Sequence, residues 1–214
     1  MNYLEINANN PEPEKLQEAV RYLKNSGVVA HGTETVYGLT AQWNDWEAIQ
    51  NLSQIKHRSL KQPYSIMVDA INDIIELSGW DSPPLQRLLK LIFPGPVTLL
   101  LPRNRHFKLE YWNQFQDIGF RLPDHRLSRE LVKETGIPLL TTSANLSGEP
   151  SPASAQEISE EITDSVDLVI DSGVCPFKVP STIIRVDISK RDFEVIRSGA
   201  FSIDQFNQIF KTIW

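Results

Sequence analysis

Lys56, His57, Arg58 and Lys61 place four basic or potentially basic side chains within six residues of a chain whose formal net charge is -6. No acid lies between Glu47 and Asp69 to neutralise them. Ammonium and guanidinium groups gathered in this way suit anions, phosphate and carboxylate above all. Basic runs are commonly solvated turns with no role beyond solubility. This one is bracketed: an apolar helical pattern runs straight into Lys56, and the apolar-rich segment 64–68 follows at once. A cluster pinned between a helix end and a strand start is held in place.

Four polar turns could complete such a site. Gly32-Thr33-Glu34-Thr35-Val36-Tyr37-Gly38 follows a short apolar run, so its amides and hydroxyls can converge where a strand ends, a place that ligands of open α/β sheets favour. Ser143-Ala144-Asn145-Leu146-Ser147-Gly148 follows another and offers small side chains, amide donors and a glycine, suited to a phosphate or a nucleobase edge. Read alone, each also fits a turn capped by its own hydroxyls. Pro180-Ser181-Thr182 and Arg197-Ser198-Gly199 are weaker signals of the same kind. Arg121 ends the apolar stretch Gly119-Phe120-Arg121, where a guanidinium could grip carboxylate or phosphate, or pair with a nearby acid. No GxxxxGK[ST], GxGxxG or GxSxG occurs, and His31, His57, His106 and His125 show no metal-ligand spacing. The residues alone point to an anion-binding protein whose hydroxyls and arginines suit positioning catalysis on a phosphorylated ligand.

The elements that must position these groups are legible in part. Asn10-Pro11 offers a cap and a first helical position for Leu16, Ala19, Val20 and Leu23, with Asn25-Ser26-Gly27 as the stop. Val28 to Ala30 reads as a buried strand. Asp45 can cap a helix with Trp46, Ile49, Leu52 and Ile55 on one face, which delivers the basic cluster. Strand 64–68 follows, and Ser82-Pro83-Pro84 opens a helix that Phe93-Pro94-Gly95-Pro96 ends. Val97 to Leu101 is a continuous apolar strand. Segment 103–118 interleaves Arg103, Arg105, His106 and Lys108 with Tyr111 and Trp112, which suits either RNA stacking or an ordinary surface loop. Helices are expected over 125–135 and 152–162, with Glu157, Glu160 and Glu161 of the latter on a solvated face, and strands over 138–142, 166–170, 182–186 and 193–196. Ile203, Phe206, Phe210 and Ile213 mark a last helix. Strands and helices are intermixed without repeats or a Pro/Gly/Ser linker, so a single α/β domain is the simplest account.

Composition narrows the class. With 41% hydrophobic and 22% charged residues, the 214-residue chain can bury a sizeable core. Its acidic balance argues against indiscriminate nucleic-acid binding, which needs a broad basic surface. The lone Cys175 excludes an internal disulfide and fits a reducing compartment. The first thirty residues lack a basic n-region with an apolar h-region, and no run approaches 18 apolar residues, so neither secretion nor a membrane span is expected and a cytoplasmic location is.

Taken together and in this order, GTETVYGL, KHR, FPGPVT, RLPDH, TSANLSG, PSTIIRV and IRSGA closely resemble the YrdC family of threonylcarbamoyl-AMP synthases, from about residue 27 to 201. The resemblance implies a single YrdC-like domain over 1–214, in the short form without an extra C-terminal domain, with a twisted mixed parallel and antiparallel sheet flanked by helices around a basic cavity. It implies synthesis of threonylcarbamoyl-AMP from L-threonine, bicarbonate and ATP, with pyrophosphate released, for N6-threonylcarbamoyladenosine beside the tRNA anticodon. Mg2+ would enter with ATP, held by phosphate oxygens and water rather than by a protein metal site. Residue by residue, it places Thr35, Arg121, Thr141 and Ser181 around threonine. Arg58, Gln62, Ser143, Asn145, Ser151 and Arg197 fall at ATP, with Asn145 ordering its turn. Lys56 stands beside Arg58 at the bicarbonate and phosphates, and these two are the expected electrostatic catalysts. A tRNA-modifying threonylcarbamoyl transferase complex would be the partner. The same resemblance leaves room for a double-stranded RNA-binding module, or for a diverged paralogue forming another carbamoyl-adenylate. Departures fall at Gly32 and Ser59, where proline is usual, at Gln62 for asparagine, at Met67 where the long form has histidine, at Asp117 for threonine, and at Phe177-Lys178 in a glycine-rich turn.

Overall fold

The computed structural model describes residues 2–103, 107 and 109–214. In chain order the elements are β1 (Tyr3–Glu5), α1 (Pro13–Lys24), β2 (Val29–His31), β3 (Gly38–Gln42), α2 (Trp46–Ile55), β4 (Ser65–Met67), α3 (Ile71–Ser78), α4 (Pro83–Ile92), β5 (Val97–Pro102), β6 (Asp117–Arg121), α5 (Arg126–Thr135), β7 (Leu139–Ser143), α6 (Glu160–Ser165), β8 (Leu168–Asp171), β9 (Thr182–Asp187), β10 (Asp192–Arg197) and α7 (Ile203–Ile213). Among the described residues, ten strands join one sheet in the order β1-β8-β2-β3-β7-β4-β6-β5-β9-β10. Pairing is mixed: β2 and β8, β4 and β6, and β5 and β9 run parallel, whereas β3 and β7, β4 and β7, and β5 and β6 run antiparallel.

The helices form where cap and period agree. Asp45 accepts from the Glu47 and Ala48 amides at the head of α2, which buries Ala48, Ile49 and Leu52 and ends at Lys56. Ser82 caps α4 through the Leu85 amide, with proline in the first turn and Leu85, Leu88, Leu89 and Ile92 buried. The main core lies between the sheet and α2, α4 and α7, and a second apolar cluster gathers Leu16, Leu23, Leu127, Leu131 and Ile170 from α1, α5 and β8.

Several expectations change. Helix α1 begins at Pro13, because Asn7 Oδ1 accepts from the Asn9 and Asn10 amides and holds 7–10 as a turn of its own. No single helix covers 152–162. A 3-10 turn at Ala155–Glu157 is followed by extended Ile158 and Ser159 and only then by α6, and Glu157 Oε2 folds back onto the Ala153 amide at 2.7 Å. Its three glutamates are exposed, as expected. Strands β1 and β3 and helix α3 have no counterpart among the sequence expectations; β3 is buried on both faces and so lacks an alternating pattern.

Segment 103–118 is, in its described residues, neither a stacking platform nor a surface loop. Arg105, His106 and Lys108 lie outside the described residues, but Phe107, Tyr111, Trp112 and Phe115 are all buried. Their rings pack edge-on or tilted with centroids 5.0 to 6.2 Å apart, and Trp43 joins them. This lobe clasps the loop after the basic cluster, because Gln114 Nε2 donates to Leu60 O at 3.1 Å and Tyr111 Oη to Gln62 O at 3.4 Å.

Candidate functional site

Six strands bring side chains to one concavity of about 330 Å3. Thr141, Thr142 and Ser143 come from β7, Ser65 from β4, Thr98 from β5, Arg121 from the end of β6, Ile183 from β9, and Arg197 from the end of β10. The register makes them neighbours: Ser65 lies opposite both Thr141 and Gly119, and Gly38 lies opposite Ser143. Gly119 lets the side chains of β4 and β5 close up around β6, because a Cβ there would meet Leu100 Cδ2 and Ser65 Oγ at 3.0 Å.

One wall is cationic. Arg121 is only 8% exposed, and its Nη2 donates to Glu34 Oε1 at 2.8 Å and Thr35 Oγ1 at 3.2 Å, while its Nε has no partner. Thr35 is itself fixed by Thr33 Oγ1 at 2.8 Å. Thr35 and Glu34 therefore stand behind Arg121 rather than in the cavity lining. Ser181 Oγ lies 2.9 Å from Thr98 Oγ1, and Arg197 Nη2 donates to Ser181 O at 2.8 Å.

The basic cluster divides. Lys56, 3% exposed, turns inward, and its Nζ donates to Ser143 O at 2.6 Å and to Asn145 O. Burial, helped by the charge of Arg58, lowers its pKa to about 8. Arg58 also faces the cavity; Nη2 donates to Pro63 O at 2.8 Å, Nη1 makes a long 3.5 Å contact with Thr142 Oγ1, and Nε is buried without a partner. His57, in the left-handed region at φ 48°, points the other way, to Glu161 at 3.2 Å. Lys61 is exposed and does not line the cavity. Two of the four side chains of the cluster, Lys56 and Arg58, thus reach the site.

The polar turns meet as well. Ala144 N donates to Tyr37 O at 2.8 Å, which ties the 143–148 turn to the 32–38 turn. Asn145 Nδ2 donates to Leu146 O at 2.7 Å and Glu149 O at 2.8 Å, so it does order its own turn, and its Oδ1 is buried without a partner. The 180–182 and 197–201 turns interlock through Ala200 N to Pro180 O at 2.9 Å and Thr182 Oγ1 to Phe201 O at 2.7 Å. Gln62 reaches the lining; Ser151 does not. Thr98, Ser65, Thr142 and Tyr64 line the cavity too, and sequence reasoning misses them, since a hydroxyl within or beside an apolar strand gives no signal of its own.

The departures have local reasons. A Cβ on residue 32 would fall 2.4 Å from Ser172 Oγ, which fits glycine there. Ser59 closes its turn by accepting from Lys61 N through Oγ at 3.2 Å. Met67 is buried in the second apolar cluster, and Asp117 is paired with Arg185 at 2.9 Å; neither lines the cavity. Lys178 takes φ 55° and Phe177 N donates to Glu34 O at 3.0 Å.

Among the described residues, no group of three or more His, Cys, Asp or Glu could hold a metal ion, and no helix is long and apolar enough to cross a membrane. The lining contains four cationic side chains, many hydroxyls and, among the described residues, no carboxylate. Such a wall neutralises and orients an anionic ligand.

Residues 21–199 match the family described as telomere recombination, Sua5/YciO/YrdC. The chain belongs to this family. Within the Sua5/YciO/YrdC family, a putative threonylcarbamoyl-AMP synthase of Methanocaldococcus jannaschii is 34% identical over 90% of this chain and 91% of that protein. The threonylcarbamoyl-AMP synthase of Bacillus subtilis is 30% identical over 84% of this chain and 51% of its own. The crystal structure of Pyrococcus abyssi Sua5 complexed with L-threonine superposes over 100% of this chain and 62% of that one, with TM-score 0.90 and 26% identity. This chain therefore spans only about half to two thirds of the longer Sua5-type relatives. The fold of the family, a single mixed sheet flanked by helices, is the fold seen here.

Proposed function

We propose that this chain joins L-threonine, bicarbonate and ATP into threonylcarbamoyl-AMP with release of pyrophosphate. The observation that carries the reading is the lining: buried Arg121 backed by Thr35, with Arg58, Arg197 and the Ser143–Asn145 turn on the same cavity, and no carboxylate among the described residues that line it. The synthase names of the relatives that span most of this chain support it.

In this reading Arg121, Thr141 and Ser181 hold threonine, with Thr35 orienting Arg121 from behind the lining, and the guanidinium takes the carboxylate in a buried, charge-assisted contact. The threonine amine and bicarbonate give an N-carboxylate with loss of water. A carboxylate oxygen of that carbamate then forms a bond to the α-phosphorus as the bond from the α-phosphorus to the bridging oxygen breaks, and pyrophosphate leaves with the electron pair. The step needs alignment and charge neutralisation more than a proton acceptor. Arg58 and Arg197 supply fixed positive charge. Lys56 supplies a third cation, with one N–H left after its two carbonyl contacts. Gln62, Ser143 and Asn145 complete the nucleotide contacts.

The cavity offers hydroxyls and carbonyls rather than carboxylates, so Mg2+ would be held by phosphate oxygens and water. It would neutralise polyphosphate charge. In the same reading the partner is a tRNA-modifying threonylcarbamoyl transferase complex, which passes the group on to tRNA, and the chain works in the cytoplasm. Direct RNA contact, if it accompanies catalysis, should weaken steeply with salt.

The test is pyrophosphate release from ATP with Mg2+ and bicarbonate, with and without threonine and with serine in its place. Threonine-dependent release, with the adenylate found by mass, is the expected result. Absence of release with any amino acid, from a chain that binds ATP, would overturn the assignment.

A further inference from the structure

The nucleotide end of the cavity holds one contact that the proposed mechanism leaves idle. The guanidinium carbon of Arg58 sits 4.8 Å from the centroid of the Tyr64 ring. Tyr64 is 2% exposed, follows the loop of Gln62 and Pro63, and directly precedes β4. Its hydroxyl lies 3.0 Å from Ser53 Oγ on α2, so the ring is anchored at its far end to the helix that delivers the basic cluster. The aromatic lobe supports the same loop, since Tyr111 Oη donates to Gln62 O.

Arg58 has few other restraints. Nη2 is spent on Pro63 O, Nη1 has only the 3.5 Å contact with Thr142, and the buried Nε has no protein partner. A long arginine side chain with one good hydrogen bond would sample several rotamers and would lose that freedom on binding an anion. The π face removes the freedom beforehand. It attracts the cation from one side through the ring quadrupole without using any of the N–H donors, which stay available to grip an anion.

We infer that Tyr64 is a positioning residue that fixes the Arg58 guanidinium for the polyphosphate of the nucleotide. The inference rests on the nucleotide reading of this cavity. It adds an aromatic partner that works through Arg58 and touches neither the reacting atoms nor the amino acid.

The test is ATP affinity by calorimetry for the full chain carrying Tyr64→Phe, Tyr64→Leu, or a ring-trifluorinated phenylalanine at the same position, each also combined with Arg58→Ala. Trifluorination keeps the shape of the ring and cancels most of its quadrupole, so it separates cation attraction from packing even if Tyr64→Leu fails to fold. Tyr64→Phe should bind ATP within about twofold of the parent, whereas trifluorination and Tyr64→Leu should weaken it by about tenfold. Threonine affinity should stay the same. In the Arg58→Ala background the ring changes should have no further effect. Equal ATP affinity for the phenylalanine and its fluorinated form, or a loss that persists without Arg58, overturns the role of Tyr64. Failure of the unsubstituted chain to bind ATP overturns the nucleotide reading itself, a distinct result.

Discussion

The guanidinium of Arg121 and the carboxylate of Glu34 form a buried ion pair, 2.8 Å from Nη2 to Oε1, with side chains 10% and 4% exposed. The second oxygen of Glu34 and the Nε of Arg121 are both without partners. One edge of each group is therefore satisfied and the other is not, so the pair fixes the orientation of Arg121 while leaving a donor free.

Glu34→Gln tests that division. Removing one charge of a buried pair leaves the other uncompensated, a loss of roughly 3 kcal/mol. The melting temperature should fall by roughly 6 to 12 °C, and threonine affinity should drop at least tenfold because Arg121 is no longer held. Unchanged melting and affinity would show that Thr35 alone suffices to place Arg121.

Arg58→Ala should abolish product formation, by about a hundredfold or more, and leave the fold intact. The side chain is partly exposed and makes one short hydrogen bond, to a backbone carbonyl. Circular dichroism and threonine binding check the fold, and pyrophosphate release checks the chemistry. Near-parent turnover in a folded variant would remove Arg58 from the mechanism.

Lys56 should impose a pH limit on nucleotide binding. Its ammonium is pushed down from 10.5 to about 8 by burial, so ATP affinity should fall as pH rises through about 8, when the positive charge is lost while the neutral amine can still donate to its two carbonyls. The stability effect has the opposite sign. The folded chain holds fewer protons on this group than the unfolded chain between pH 8 and 10.5, so its contribution to stability rises with pH across that interval. Lys56→Arg, which does not titrate there, should flatten the ATP profile.

His57 should be separable from its neighbours. It sits in the left-handed region at φ 48° and its ring pairs at the surface with Glu161. His57→Gly relieves a backbone cost of about 1 to 2 kcal/mol, offset by the loss of a surface contact worth about 1 kcal/mol or less and by the greater chain entropy of glycine, about 0.5 to 1 kcal/mol. Stability should change by less than about 1 kcal/mol and ATP affinity should hold, as read by melting and calorimetry. A tenfold loss of ATP affinity would mean that the cluster acts as a whole.

The features legible in the chain are those that local rules govern. Asp45 before Trp46 and Ser82 before Pro83 announce α2 and α4, because a cap and a helical period act within a few residues. Strand β3 is not legible: Gly38, Thr40 and Ala41 are small, buried on both faces and without alternation. Basic residues interleaved with the aromatics of 103–118 suggest a surface, whereas the rings of Phe107, Tyr111, Trp112 and Phe115 pack inward as a lobe. Lys56 is recognisable as a site cation, but its anchorage is not. The carbonyls it grips belong to Ser143 and Asn145, 87 and 89 residues away, and backbone acceptors leave no trace in residue type. The family resemblance brings Arg121, Thr141 and Ser181 together in advance; Thr98, Ser65 and Tyr64 become visible only through the register and the loop packing.

Gly199 should be the least replaceable glycine of the site. A Cβ there would stand 2.2 Å from Pro180 O and 2.6 Å from Ser181 C and Thr182 N, all backbone atoms that cannot rotate away. The two turns it joins carry Ser181 and Arg197, and Arg197 Nη2 donates to Ser181 O across the junction. Gly199→Ala must separate the turns, at a cost of about 3 kcal/mol, and must move Arg197 relative to Ser181, so melting temperature and ATP affinity should fall together. Gly148 gives the contrast. It takes φ 93°, and a Cβ there would meet nothing within 4 Å, so Gly148→Ala incurs only the conformational cost of about 1 to 2 kcal/mol. A Gly199→Ala chain as stable as Gly148→Ala, with ATP affinity intact, would show that the interlocked turns can part without disturbing the site.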